Sequence, residues 1–270
     1  PVTTKRFLEH FGITVPRPDL AALERIVAAF SHLPYENLTK VIRKHGGYAG
    51  RARLRLPAEV IESHIRHGTG GTCFSLTYCL WAILETLGFV AYPIMAEMNI
   101  GENVHCTLVV LLEGRAWMID PGYLLGRPLP LPPVGEVAMA QGEASVILRH
   151  VRGKHYDLHT VRGGVEKWRY RVRNEPVDHA RFFDYWEASF DLPGLGSLLI
   201  TQRTEGGQRY VRNRQFQWIT SQGRENRKIA PDEYEATLAR IFGIAPEIVE
   251  EARALVTALQ RHRRKHALAP

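Results

Sequence analysis

Cysteine is scarce in this chain: Cys73, Cys79 and Cys106 are the only three in 270 residues. That number is too small for a disulfide scaffold, and being odd it leaves at least one thiol free. Long apolar runs are absent as well; no stretch approaches the ~18 consecutive apolar residues of a membrane-spanning helix. The opening PVTTKRFLEHFG has no apolar signal-peptide core, so the expected compartment is the reducing cytoplasm. There is no internal repeat and no low-complexity tract. With 45% hydrophobic and 23% charged residues, the composition excludes a disordered tail or a fibre.

Acidic residues are in deficit, 28 against 35 Lys and Arg, which gives a formal charge of +7. Such a surplus suits nucleic acid, an acidic membrane surface or a phosphate-bearing ligand, and selects none of them. The most basic run, Arg261 to His266, reads as the solvated end of a helix whose cations complement the dipole. It has no interleaved aromatics and matches no nucleic-acid module, so neither a nucleic-acid nor a membrane partner is expected.

The pattern up to about Phe89 is helical. Asp19 can cap a helix with an apolar face of Leu20, Leu23, Val27 and Phe30. Pro57 opens a second helix carrying Val60, Ile61 and Ile65. A third begins near Cys73, is apolar nearly all round and stops at Gly88, as suits the middle of a core. Beyond Phe89 the segments are short, β-branched and aromatic. In KWRYRVR, Trp168, Tyr170 and Val172 alternate with Lys167, Arg169 and Arg171, the period of a half-buried strand. Residues 121–136 read as a long loop. A hairpin around Gly206-Gly207 then precedes two helices, starting at Pro231-Asp232 and Pro246-Glu247. The expected class is α+β.

Cys73 follows Gly70-Gly71-Thr72 and opens a helix. The glycines let the backbone turn tightly and approach a ligand, the dipole favours thiolate, and first-turn N–H groups are available to an oxyanion. Two readings stand side by side, a nucleophile and a small core residue. Cys79 lies six residues on, about 240° round the helix, so the two make neither a redox pair nor a zinc pair. Cys79 and Cys106 are expected to be packing residues, and no metal site emerges.

A nucleophilic thiol needs a base, and the base an orienting group. Around a two-residue turn at Glu113-Gly114, paired residue numbers sum to 227, so Thr107 faces Asp120 and His105 faces Gly122. His105 and Asp120 then lie diagonally on one sheet face, within side-chain reach. A three-residue turn breaks that match and leaves both residues solvated. Cys73, His105 and Asp120 together make a candidate Cys-His-Asp triad.

At this point the chain resembles the arylamine N-acetyltransferase family. Leu33-Pro-Tyr-Glu-Asn-Leu38 is similar to that family's Pro-Phe-Glu-Asn-Leu motif, and Gly70-Gly-Thr-Cys-Phe74 to its Gly-Gly-Tyr-Cys-Phe segment. Val104-His105 before an apolar strand, Asp120-Pro-Gly-Tyr123, KRFLEHFGI near the start and SLLITQR with YVRNRQF after residue 196 complete the likeness, in the right order along the chain. The resemblance implies a helical bundle over 1–89 carrying the nucleophile, a β-barrel over 90–194 carrying His and Asp, and an α/β lid over 195–270, with a papain- and transglutaminase-like core. It implies Cys73 as acyl acceptor, His105 as base and acid, Asp120 as orienting group, the Cys73 N–H as oxyanion donor, and Tyr35 and Tyr123 near the acceptor pocket. Acetyl-CoA is the implied acyl donor, with no permanently bound cofactor, and an arylamine or arylhydrazine the acceptor.

The chain departs from the pattern close to the triad. Thr69 stands where the family usually has Arg, Ser75 where it has an acid, Thr77 for Asn, Val104 for Thr, Pro121 for Val and Leu124 for Gly. Loss of Arg and acid together removes an ion pair as a unit. Two other readings follow from these changes: an amide synthase or amidase with another acyl donor, and a binding protein with a degenerate site.

Overall fold

The structure, a computed structural model, describes residues 2–15 and 17–267. Its elements, in order, are α1 (Val2–His10), α2 (Leu20–Phe30), β1 (Tyr35–Glu36), α3 (Leu38–His45), α4 (Pro57–His67) and α5 (Cys73–Thr86). Eight strands follow: β2 (Val90–Met98), β3 (Gly101–Leu112), β4 (Arg115–Ile119), β5 (Leu129–Pro130), β6 (Glu136–Gln141), β7 (Ala144–Arg152), β8 (His155–Arg162) and β9 (Val165–Arg173). The chain continues through α6 (His179–Ala188), β10 (Leu199–Thr204), β11 (Gly207–Arg212), β12 (Gln215–Thr220), β13 (Gly223–Lys228), α7 (Tyr234–Phe242) and α8 (Pro246–Ala267). The side chains of Arg263 to His266, in the basic run, lie outside the described residues.

The helix starts follow local chemistry. Asp19 caps α2, its Oδ1 accepting from the Ala22 N–H at 2.8 Å. Pro57 occupies the first turn of α4, and left-handed Gly68 ends that helix. Ten of the fourteen residues of α5 are buried, which makes it the central helix. It packs with α2 and α4 in a cluster that also takes in Leu108, Val110 and Ile119 from the neighbouring sheet.

That sheet has eight antiparallel strands in the order β5-β4-β3-β2-β9-β8-β7-β6. Its outer strands β5 and β6 approach one another, so it curls into a nearly closed barrel. The interior is filled by Val109, Met118, Leu148, Leu158, Tyr170 and Val172 among others. Strand β3 is covered on both sides: Leu108 and Val110 face the helices while Val109 faces the barrel interior. This double coverage explains its unbroken apolar run. A five-stranded sheet, β1-β10-β11-β12-β13, packs its other face on α7 and α8. The early strand β1 joins it by pairing with β10, and α3 lies against α8.

The class is α+β, as expected, with two local corrections. The hairpin at residues 206–207 extends into four consecutive strands, because β12 and β13 follow it before any helix. Strand β13 is exposed at all six positions and sits on the sheet edge, so it carries no apolar signal to read. Helix α7 begins at Tyr234, not at Pro231, since residues 231–233 form a turn. No helix among the described residues is long and apolar enough to cross a membrane.

Candidate active site

Three elements meet at one point. The turn between β3 and β4 is a two-residue one: Leu112 pairs with Arg115, and Glu113 and Gly114 take φ of 51° and 71°. The register is the one the two-residue turn dictates, Leu108 opposite Ile119. It puts His105 and Asp120 on the barrel-facing side at the barrel mouth. Their side chains are joined by a 2.8 Å contact between His105 Nε2 and Asp120 Oδ2. Helix α5 ends its N-terminal turn over the same spot. A Cβ placed on Gly122 would lie 2.8 Å from both Cys73 Cβ and His105 Cε1, so glycine at 122 is what lets the thiol and the imidazole come together.

Asp120 is fully buried and its carboxylate is well supplied with donors. Besides His105, it accepts from the Tyr123 N–H at 2.9 Å and from the Tyr170 hydroxyl at 2.5 Å. Tyr170 also lays its ring against His105, with centroids 4.8 Å apart. The alternation of β9 marks Tyr170 as inward-facing, but nothing in the sequence links it to a carboxylate fifty residues away.

The electrostatics follow from this packing. Burial by itself lowers the His105 pKa, but the Asp120 charge and hydrogen bond outweigh it, and with the Cys73 contact they raise it to about 10. Cys73 is 7% exposed and moves the other way. The adjacent Cys106 thiol, donating to its sulfur, and then the hydrogen bond and charge of His105 hold it well below the ordinary thiol range, against the cost of burial. A thiolate–imidazolium pair is the state these shifts describe. Cys106 is buried as expected, and it also packs in one cluster with Cys73, Phe74 and Phe182, where it helps to lower the Cys73 thiol. Strand alternation places it opposite His105, which hid that second role. Cys79 packs in the helical core, its thiol pushed up by burial.

The Gly70-Gly71 segment makes a close approach to backbone. A Cβ at Gly70 would fall 1.8 Å from Pro34 O, and Gly71 bridges to Tyr35. The segment is clamped by Arg55, which is 5% exposed. Its Nη1 donates to Gly70 O at 2.7 Å and Thr39 Oγ1 at 2.9 Å, and its Nη2 to Thr69 Oγ1 at 3.4 Å. Fully buried Glu36 stands 3.7 Å from the same guanidinium and bonds the Thr39 N–H and hydroxyl. The charge missing at Thr69 is thus present, delivered from Arg55, and Ser75 Oγ turns back to Thr72 O at 3.0 Å. No local motif in the sequence announces Arg55.

Cys73 and His105 open into a cleft of about 440 Å³. Tyr35 and Tyr123 line it, as do Phe74, Met98, Ile100, Lys40, the 192–195 segment and, from the five-stranded sheet, Gln208 and Arg212. The Tyr123 ring stands edge-on to His105 at 5.5 Å.

The chain is similar to known proteins over most of its length. The sequence model of the N-acetyltransferase family matches residues 19–250. Proansamycin X synthase of Amycolatopsis mediterranei is 23% identical over 199 residues, which cover 68% of this chain and 76% of that protein. The arylamine N-acetyltransferase of Mycobacterium abscessus superposes with a TM-score of 0.79 at 24% identity, covering 94% of this chain and 93% of that one. That of Salmonella typhimurium gives 0.80 at 17% identity, covering 96% and 99%. A Bacillus cereus relative with a Cys-His-Glu catalytic triad gives 0.75 at 17%, covering 91% and 99%. With the family match running through most of its length, the chain belongs to the arylamine N-acetyltransferase family and is an acyltransferase enzyme.

Proposed function

We propose that this enzyme moves an acetyl group from acetyl-CoA, through a thioester on Cys73, to the nitrogen of an arylamine or arylhydrazine. The observation that carries the reading is the convergence at Gly122 of a helix-start thiol and an imidazole paired to a buried carboxylate. In the first step the Cys73 thiolate attacks the thioester carbonyl. Negative charge gathers on the carbonyl oxygen, where first-turn N–H groups of α5, that of Cys73 foremost, are free of intrahelical partners. The carbon–sulfur bond to CoA then breaks, and His105 gives its proton to the departing sulfur. In the second step the amine attacks acetyl-Cys73, His105 takes a proton from the nitrogen, and Cys73 leaves as thiolate. Asp120 holds the imidazole in the orientation and charge both steps need. Tyr35 and Tyr123 offer aromatic surface to the acceptor ring. All three cysteines are free thiols, which suits work in the cytoplasm.

Initial rates measured over a grid of acetyl-CoA and arylamine concentrations test the scheme. Parallel double-reciprocal lines are expected of two half-reactions sharing one acyl-enzyme; intersecting lines would contradict it. A second reading, amide formation from another acyl donor, is supported by the likeness to a protein named as a synthase, Proansamycin X synthase. Acylation of Cys73 by longer thioesters but not by acetyl-CoA would select it. A binding protein with an inert site predicts instead an ordinary thiol titration at Cys73.

A further inference from the structure

Charge of one sign lines the cleft. Lys40 of α3 and Arg212 of β11 border it together with Cys73 and His105, and none of its lining residues is an Asp or Glu. Lys40 Nζ donates to Ser189 O at 2.9 Å and Ser189 Oγ at 2.7 Å, both neutral acceptors, and stands 4.8 Å from the Phe190 ring centroid. Asp191, the carboxylate whose charge it feels, is bridged instead to Lys44 at 3.5 Å. Burial lowers the Lys40 pKa to about 8, which leaves it cationic at neutral pH. Arg212 is exposed at the rim and makes no ion pair among the described residues.

An ammonium held in a partly buried site by neutral groups alone is costly unless an anion completes it. The Cys73 thiolate does not serve, since His105 already balances it, and its charge vanishes once the sulfur is acylated. Two cations therefore face the cleft without a counter-charge at both stages of the reaction.

We infer that Lys40 and Arg212 form an anion subsite beside Cys73, which holds a carboxylate or phosphate group of the molecule presented to that thiol. The inference rests on the reading of Cys73 as nucleophile. Two sources supply such a group: the phosphates of the thioester donor, or an acid substituent on the aromatic amine.

Alkylation of Cys73 tests the subsite without any substrate. Rates with iodoacetate and iodoacetamide are measured for the wild type, Lys40→Met, Lys40→Arg and Arg212→Gln, and expressed as the anionic-to-neutral ratio. The ratio cancels changes in thiol nucleophilicity. It is expected to fall roughly tenfold in Lys40→Met, as for one charge a few ångströms away in a half-solvated cleft. It should fall less in Arg212→Gln, recover in Lys40→Arg and shrink with salt in the wild type. An unchanged ratio in both Lys40→Met and Arg212→Gln overturns the inference.

Half-reactions then identify the source. Acylation is compared for acetyl-CoA and acetyl-pantetheine, the same thioester without phosphates, and deacylation for 4-aminobenzoate and aniline. A loss in Lys40→Met larger for acetyl-CoA than for acetyl-pantetheine assigns the donor phosphates. A loss larger for 4-aminobenzoate than for aniline assigns the acceptor carboxylate. Equal losses within both pairs overturn the subsite. A wild-type Cys73 that acetyl-CoA leaves unmodified instead contradicts the acetyl-transfer scheme, and the alkylation ratio still decides on the subsite.

Discussion

The side chains around Cys73 make separable contributions. Asp120→Asn removes the charge that keeps His105 protonated, and burial then favours neutral imidazole. Cys73 in turn loses a stabilising cation, so its alkylation by iodoacetamide at pH 7 should slow and acetyl transfer should drop by roughly 10²-fold or more. Gly122→Ala places a methyl between thiol and imidazole. A displacement of the order of 1 Å is expected to cost about 10²-fold in kcat/KM, and the overpacked methyl to destabilise the fold by about 1–3 kcal/mol. Tyr170→Phe deletes a hydrogen bond to a buried carboxylate, worth about 1.5–3 kcal/mol in denaturant unfolding. The sign of the pH effect is fixed by the raised His105 pKa. Its charge stabilises the fold fully below 6.5, the ordinary value, and that contribution is lost as pH rises through about 10. The stability difference between wild type and His105→Gln should therefore shrink in alkaline buffer and stay level in mild acid.

At the scale of elements, the loop before α5 depends on one guanidinium. Arg55 ties residues 69–70 to α3 and neutralises Glu36 beneath them. Arg55→Met strands a buried carboxylate and should destabilise by about 3–5 kcal/mol, whereas the paired change Arg55→Met with Glu36→Gln should recover much of the loss. Urea unfolding of the three proteins checks this. The elements that could be read from sequence were those with a local signature. Asp19, Pro57 and Gly88 mark helix ends, and the Glu113-Gly114 turn fixes the pairing that brings His105 to Asp120. Those that escaped have contacts distant in sequence or no apolar face. Strand β13 is wholly exposed, Arg55 acts on residues fourteen to nineteen positions away, and Cys106 meets Cys73 only because α5 lies across β3.

For the molecule as a whole, three cores converge on one cleft. The helical cluster anchors α5, whose first residue Cys73 sits among Phe74, Cys106 and Phe182, the barrel adjoins His105 and Asp120, and the five-stranded sheet closes the far wall with Gln208 and Arg212. The surplus of +7 is not spread evenly, since two of its cations line the cleft that holds Cys73 and no carboxylate does. The order of motifs along the chain was enough to propose the triad, because Cys73 opens a helix, Asp120 follows a strand, and the Glu113-Gly114 turn sets His105, inside β3, beside that carboxylate. The cleft's charge was not legible, because Lys40 and Arg212 come to line one cleft only when the β1 segment before α3 joins β11 through β10. The central claim is that Cys73 carries the acyl group. Peptide mass mapping after brief exposure of the reduced enzyme to acetyl-CoA tests it most directly. The account predicts one acetyl group on the peptide containing Cys73, absent in Cys73→Ala and discharged when an arylamine is added; an unmodified Cys73 peptide, or an acetyl group that the amine does not remove, would contradict it.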